Sequence, residues 1–248
     1  VILQALAGYY GRLAAADDST VAREGFETKG IPFVVVLDRN GRFKGLDDTR
    51  VQDGKKKVPR SFVVPQAVKR TSAIAANLLW DNPGYAFGRP KPNPKKDPAE
   101  LRAAAARQHD SFVRRLHDTF PDPKTDDGVA AVLAYFERGD FAALFTHALW
   151  KEIEEAGANV TFRLDGDTEL VCQRKAVVDA VATAPAGGDR LRQCLVSGDL
   201  DEPARLHAAI KGVWGAQTSG ANIVSFNLPA FSSYGKEQGL NAPVGRKA

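Results

Sequence analysis

Apolar and polar positions change their period several times along this chain, and each change marks an expected element. Ile2, Leu3, Leu6, Tyr9, Tyr10 and Leu13 recur at helical spacing, which predicts an amphipathic helix over 2–15. IPFVVVL (31–37) is a continuous apolar run rich in β-branched residues, and its length fits a buried strand. Asp38-Arg39-Asn40-Gly41 then reads as a turn, because Asn-Gly tolerates the positive φ of a tight hairpin, and a second strand follows near 42–46. SFVVP (61–65) predicts another strand. SAIAANLLW (72–80) reads as a short helix that stops before Asn82-Pro83-Gly84.

The middle of the chain is more strongly punctuated. GRPKPNPKKDP (88–98) carries four prolines and four basic residues and predicts an exposed loop. A helix should begin directly after it, with Asp97 as N-cap, Pro98 in the first turn and Glu100 completing a capping box. Leu101, Ala105, Gln108, Phe112 and Leu116 fall on one face, and Pro121 ends the run. Two more helices are expected near 126–138 and 141–155, making 98–157 mainly helical. NVTFRL-DGD-TELVC (159–172) predicts a hairpin turning at Asp165-Gly166, residues 174–183 a helix, and CLV (194–196) and NIVSF (222–226) short strands. There is no internal repeat and no regular strand–helix alternation. The expected class is therefore α+β: small antiparallel sheets with packed helices.

Composition sharpens this only where charge is uneven. The chain has 248 residues and a net charge of +4, ordinary for a globular protein. No apolar run approaches the roughly 20 residues of a membrane span, and the N-terminus lacks the basic segment of a secretory signal, so a cytoplasmic protein is expected. From Gly54 to Trp80 there are six Lys or Arg and no carboxylate; from Pro203 to Lys236 there are three Lys or Arg and again no carboxylate. Such stretches point to an anionic partner.

Catalytic chemistry finds weak support. Cys172, Cys194 and His207 lack the close ligand pairs of structural zinc, and no cofactor or phosphate-loop motif is present. Ser219 lies outside any nucleophile elbow. A metal-dependent nuclease would have to use Asp38, Asp47 and Asp48, or Asp165 and Asp167, two of which are better explained as turn residues. Nucleic-acid contact has more behind it. In KKKVPRSFVVPQAVKRTS (55–72), Lys55, Lys56, Lys57 and Arg60 precede a strand. Lys69 and Arg70 are followed by Thr71, Ser72 and the expected helix, whose N-terminus would suit phosphate, with Asn77 or Gln66 placed to read a base edge. Between Lys211 and Lys236 lie 24 residues without a charge. There Gln217, Thr218, Ser219, Gly220 and Asn222 offer uncharged donors and acceptors on a backbone that glycine lets approach a ligand. Trp214, Phe226, Phe231 and Tyr234 either stack on bases or anchor the loop, and burial is the expectation for most of them.

Several phrases resemble the large, Csd-type subunit of the type I-C CRISPR interference complex (Cascade). They are ILQALAGYYGRL, IPFVVVLDRNGR, VPQAVKRTSAIAANLLWDN, FRLDGD, CLVSGD and, longest, RLHAAIKGVWGAQTSGANIVSFNLPAFSSYGKEQGLNAPVG, in the family's order from end to end. The resemblance implies a subunit without catalytic chemistry that inspects the protospacer-adjacent motif (PAM) on duplex DNA, helps open the duplex and holds the displaced strand. It implies as partners the guide-RNA-bearing backbone subunits, the subunit holding the guide-RNA handle, a small subunit and a recruited helicase-nuclease, and it makes phage anti-CRISPR proteins possible ligands. No membrane or cofactor is implied. The resemblance also makes residues 1–248 the N-terminal domain of a longer subunit whose helical, small-subunit-like C-terminal region is absent. Two rivals remain: the nuclease above, and a scaffold that only docks proteins.

Overall fold

A computed structural model describes residues 2–14, 22–68, 70, 74–183, 191–204, 207, 210, 212–217, 220–226 and 228–245. The chain divides into two compact units, one of residues 22–184 and one of residues 1–21 with 185–248. The fold is α+β.

The N-terminal periodicity produces α1 (Ile2–Ala14), which buries none of its side chains. In the unit of residues 22–184, β1 (Phe26–Gly30) is followed by β2 (Phe33–Leu37), β3 (Phe43–Asp48), β4 (Val51–Asp53), β5 (Lys56–Val58), β6 (Ser61–Pro65) and β7 (Trp80–Asp81). The helices α2 (Pro83–Phe87), α3 (Pro98–Thr119), α4 (Asp127–Arg138), α5 (Ala142–Phe145) and α6 (Trp150–Ala156) come next, then β8 (Val160–Leu164) and α7 (Lys175–Thr183). A four-stranded mixed sheet runs in the order β3-β2-β8-β7, with β2 parallel to β8 and the other pairs antiparallel. β1 with β6, and β4 with β5, form separate antiparallel ribbons.

All five residues of β2 are buried, as expected for a central strand covered on both faces. Against this sheet pack Phe112 and Leu116 of α3, Val129, Val132 and Phe136 of α4, and Trp150 of α6. Phe87 sits at the hub, stacked 5.9 Å from Phe136 and edge-on to Trp150 at 5.5 Å and Phe162 at 6.3 Å. α3 begins at its expected cap, with the Asp97 carboxylate accepting from the Ala99 N–H at 3.0 Å and Pro98 in the first turn, although the return bond from Glu100 that would complete a capping box does not form. The turn after β2 holds Asn40 and Arg42 N–H groups on the Asp38 carboxylate, 2.9 Å each. Gly41 there has φ +68°, and an added Cβ would lie 2.5 Å from the Ala131 carbonyl.

Four expectations are corrected. Residues 74–79 are not helical: Leu79 has φ +62°, and the Asn77 N–H is drawn to the Asp81 carboxylate instead of a helical carbonyl. Residues 141–155 form two short helices. Phe145 and Trp150, five residues apart, would point in different directions on one helix; the break lets them meet at 4.9 Å. Residues 159–172 are no hairpin. Both edges of β8 are taken, by β2 and β7, so no edge remains for a return strand, and the chain passes into a single 3-10 turn at Val171–Gln173. In the other unit, 194–196 and 222–226 are not strands. Among the described residues the strands there are β9 (Arg192–Gln193) and β10 (Leu200–Asp201), paired antiparallel. The Cys194 sulfur accepts N–H groups of Val196, Ser197 and Gly245, which curls its segment into a turn.

Candidate nucleic-acid interface

The first lysine cluster lies on a hairpin of its own. β4 and β5 pair Val51 with Val58 and Asp53 with Lys56, Gly54 supplies φ +57° at the turn, and every residue from Val51 to Val58 is exposed. The Gln52 side chain donates to the Gly54 carbonyl at 2.7 Å, which stiffens the tip. Lys57 stands 4.0 Å from the Asp48 carboxylate, while among the described residues no carboxylate reaches ion-pair distance of Lys55 or Lys56. Arg60 is also exposed, and its carbonyl accepts from the Ile31 N–H at 3.1 Å, tying this end of the hairpin to the sheet unit. A stiff, solvent-facing hairpin bearing cations is suited to phosphate contact.

The second expected element has a different job. Asp81 is 1% exposed, and its carboxylate accepts from Arg70 Nη2 and from the N–H groups of Asn77 and Asn82, both at 2.9 Å. Burial pushes its carboxyl above the usual range, an effect that the hydrogen bonds from Arg70 and Asn77 oppose. Arg70 also donates Nε–H to the Ala75 carbonyl at 2.7 Å and lies 3.7 Å over the Tyr85 ring. Arg115, its guanidinium pKa lowered by burial, donates to the Ala76 carbonyl. Asn77 is 4% exposed, and its Oδ1 accepts from the Val68 N–H at 2.9 Å. The base-reading role expected for Asn77 is therefore corrected: its amide ties two stretches of backbone together. Arg70 is likewise engaged on three sides. Lys69, Thr71 and Ser72 lie outside the described residues.

The described residues of the uncharged stretch are arranged in turns. Ile210 and Ala221 exchange two backbone hydrogen bonds of 2.8 Å and close a loop between them. Inside it, Ala216 donates to the Val213 carbonyl at 3.1 Å, and Gly220 to the Gln217 carbonyl at 2.9 Å. Gly212, Gly215 and Gly220 take φ of +76°, +79° and +110°, the left-handed backbone that the glycines permit. Gln217 and Asn222 are exposed and Gly220 is half-buried, whereas Lys211, Thr218 and Ser219 lie outside the described residues. The expectation that the aromatics are core is corrected: Trp214 is 99% exposed, Tyr234 97% and Phe231 45%, with only Phe226 half-buried, 6.5 Å from Phe231. Residue type alone underrates these rings, because their burial depends on turn geometry. The signal that could have found them is the glycine on each side of the Val213-Trp214 pair and the glycine directly after Tyr234.

The carboxylates considered for metal chemistry are placed as follows. Asp38 caps the β2–β3 turn, Asp47 pairs with Arg163, and Asp48 shares Arg50 with Glu152. Asp167 pairs with Arg174 at 2.6 Å, and the Asp165 N–H donates to the Leu37 carbonyl. Cys172 is fully buried, its thiol pushed up to about 12 by desolvation. Burial also raises the Cys194 thiol, but the backbone N–H groups on its sulfur outweigh it and leave the net shift downward. Among the described residues no group of three or more His, Cys, Asp or Glu is arranged to hold a metal, and no helix is long and apolar enough to cross a membrane.

These features together define an α+β subunit with a cationic hairpin and a carboxylate-free segment of exposed aromatics. The family model for the CRISPR-associated protein Cas_Csd1 matches residues 6–248, nearly the whole chain. The chain belongs to this family and is a large-subunit component of a type I-C Cascade, so other Cascade subunits are its partners. No curated protein matches it.

Proposed function

We propose that this chain contacts target DNA within Cascade, reading the PAM with uncharged side chains, holding phosphates with its lysine hairpin and promoting duplex opening, without cleaving. One observation carries this reading. The carboxylate-free stretch from Pro203 to Lys236 exposes Trp214 and Tyr234 almost completely, beside exposed Gln217 and Asn222. Amide side chains suit base edges, aromatic faces suit unpaired bases, and the lack of negative charge avoids repelling phosphate. On this reading the backbone subunits, the handle-binding subunit and the small subunit surround the chain, and a helicase-nuclease performs the cutting.

The test is a titration of assembled complexes against target duplexes with a randomised PAM. Gln217→Ala with Asn222→Ala should flatten PAM preference, at about 1–3 kcal/mol for each bidentate pair removed, while non-specific binding persists. Unchanged preference would make the loop structural. Metal-dependent cleavage by the complex without its helicase-nuclease, abolished by Asp47→Asn, would favour the nuclease instead.

A further inference from the structure

Tyr234 occupies an unusual backbone position. It has φ +51° and Gly235 has φ +68°, and the Lys236 N–H closes the turn on the Ser233 carbonyl at 2.9 Å. Two successive positive φ values within such a closure define the tight turn in which Asn-Gly is the preferred pair. A bulky aromatic in the first of those positions is a steric outlier. The ring gains no burial in compensation, being 97% exposed.

The turn is held from one side. The Asn241 carboxamide accepts from the Ser233 N–H at 3.0 Å and donates to the Lys236 carbonyl at 3.1 Å and the Gln238 carbonyl at 3.0 Å. Three hydrogen bonds from one side chain over-determine a geometry that tyrosine itself disfavours. Strain of this kind, fixed by its surroundings, is a mark of function.

From this we infer that Tyr234 is a stacking post for an unpaired base of target DNA next to the PAM, presented by the Asn241-stapled turn. This rests on the DNA-contact reading above. A ring on a rigid turn loses little conformational freedom when it stacks, and stacking tolerates any base. In sequence Ser232 and Ser233 directly precede the ring and Lys236 follows two residues on; no carboxylate lies between Pro203 and Lys236, and Glu237 is the first after it. That neighbourhood favours a nucleic acid over an apolar protein pocket.

Because Asn suits the backbone position better than Tyr, Tyr234→Asn removes the ring while leaving the turn intact or firmer. Tyr234→Trp keeps an aromatic face. Cascade assembled with full-length subunit is titrated with PAM-containing duplexes that carry 2-aminopurine, one position at a time, beside the PAM. Wild type and Tyr234→Trp should quench the probe at one position, and Tyr234→Asn should abolish that quenching and weaken duplex binding roughly 5- to 150-fold. Equal quenching and affinity in Tyr234→Asn would overturn the inference. So would dissociation of the subunit from the assembled complex in Tyr234→Asn but not Tyr234→Trp, since the ring would then be a protein-docking knob. PAM discrimination by the wild-type complex, scored in the same titrations with Gln217→Ala/Asn222→Ala alongside, reports separately on the base-reading loop. Stacking without such discrimination would refute that loop's role and leave this inference standing.

Discussion

Single residues in this protein are defined by what holds them. Arg50 is the clearest case: it reaches Asp48 at 2.8 Å, pairs with Glu152, and lies 4.5 Å over the Phe33 ring. Hydrogen bonding to Arg50 keeps both carboxyls below their usual range. Their folded pKa values therefore lie below the unfolded ones. The stabilisation is complete above the ordinary carboxyl range of about pH 4–4.5 and disappears as pH falls through the folded values. Glu152 is half exposed, so screening discounts its share, and the pairs together are worth about 1 kcal/mol. Urea unfolding of Arg50→Gln should show a destabilisation of roughly 1–2 kcal/mol at pH 7, including the part due to the Phe33 ring. The deficit should narrow progressively as pH falls below about 4, approaching that Phe33 part once both carboxyls are protonated in the folded state. A deficit independent of pH would mean that the ion pairs contribute nothing. Arg70 and Asn77 carry the complementary lesson. Their residue types suggested DNA contact, but Asp81 and Val68 engage them, and composition does not distinguish an exposed amide from one buried at 4% exposure.

Elements were legible where their determinants are local. The cap at Asp97, the apolar stripe through Phe112 and Leu116, and the turn at Asp38–Gly41 lie within a few residues of what they control, and α3, β2 and β3 follow from them. Elements set by distant partners were not legible. Residues 74–79 obey a carboxylate at 81 and an arginine at 70, and the fate of 165–172 is decided by β2 and β7 occupying both edges of β8. The lysine hairpin was legible only as a basic run ahead of a strand: its two strands are three residues each and wholly exposed, so no apolar pattern marks them. If it contacts phosphates, Lys55→Ala, Lys56→Ala and Lys57→Ala together should weaken binding to all target sequences alike. The slope of log K against log salt should fall by about one for each phosphate that is no longer neutralised. An unchanged slope would assign the hairpin to a surface away from DNA.

At the scale of the whole molecule, two compact units carry two kinds of candidate contact. The unit of residues 22–184 buries an aromatic core around Phe87 and displays the cationic hairpin. The other displays the uncharged turns with Trp214 and Tyr234. Membership of the Cas_Csd1 family places both within Cascade, and the central proposal is that both meet target DNA. Photo-crosslinking tests this most directly. Assembled complex is bound to target duplex carrying photoreactive bases and phosphates around the PAM, and crosslinked peptides are mapped by mass spectrometry. Base crosslinks are predicted within residues 212–222 and at Tyr234, and phosphate crosslinks within Lys55–Arg60. Crosslinks confined to other subunits would contradict the proposal and leave this chain a scaffold.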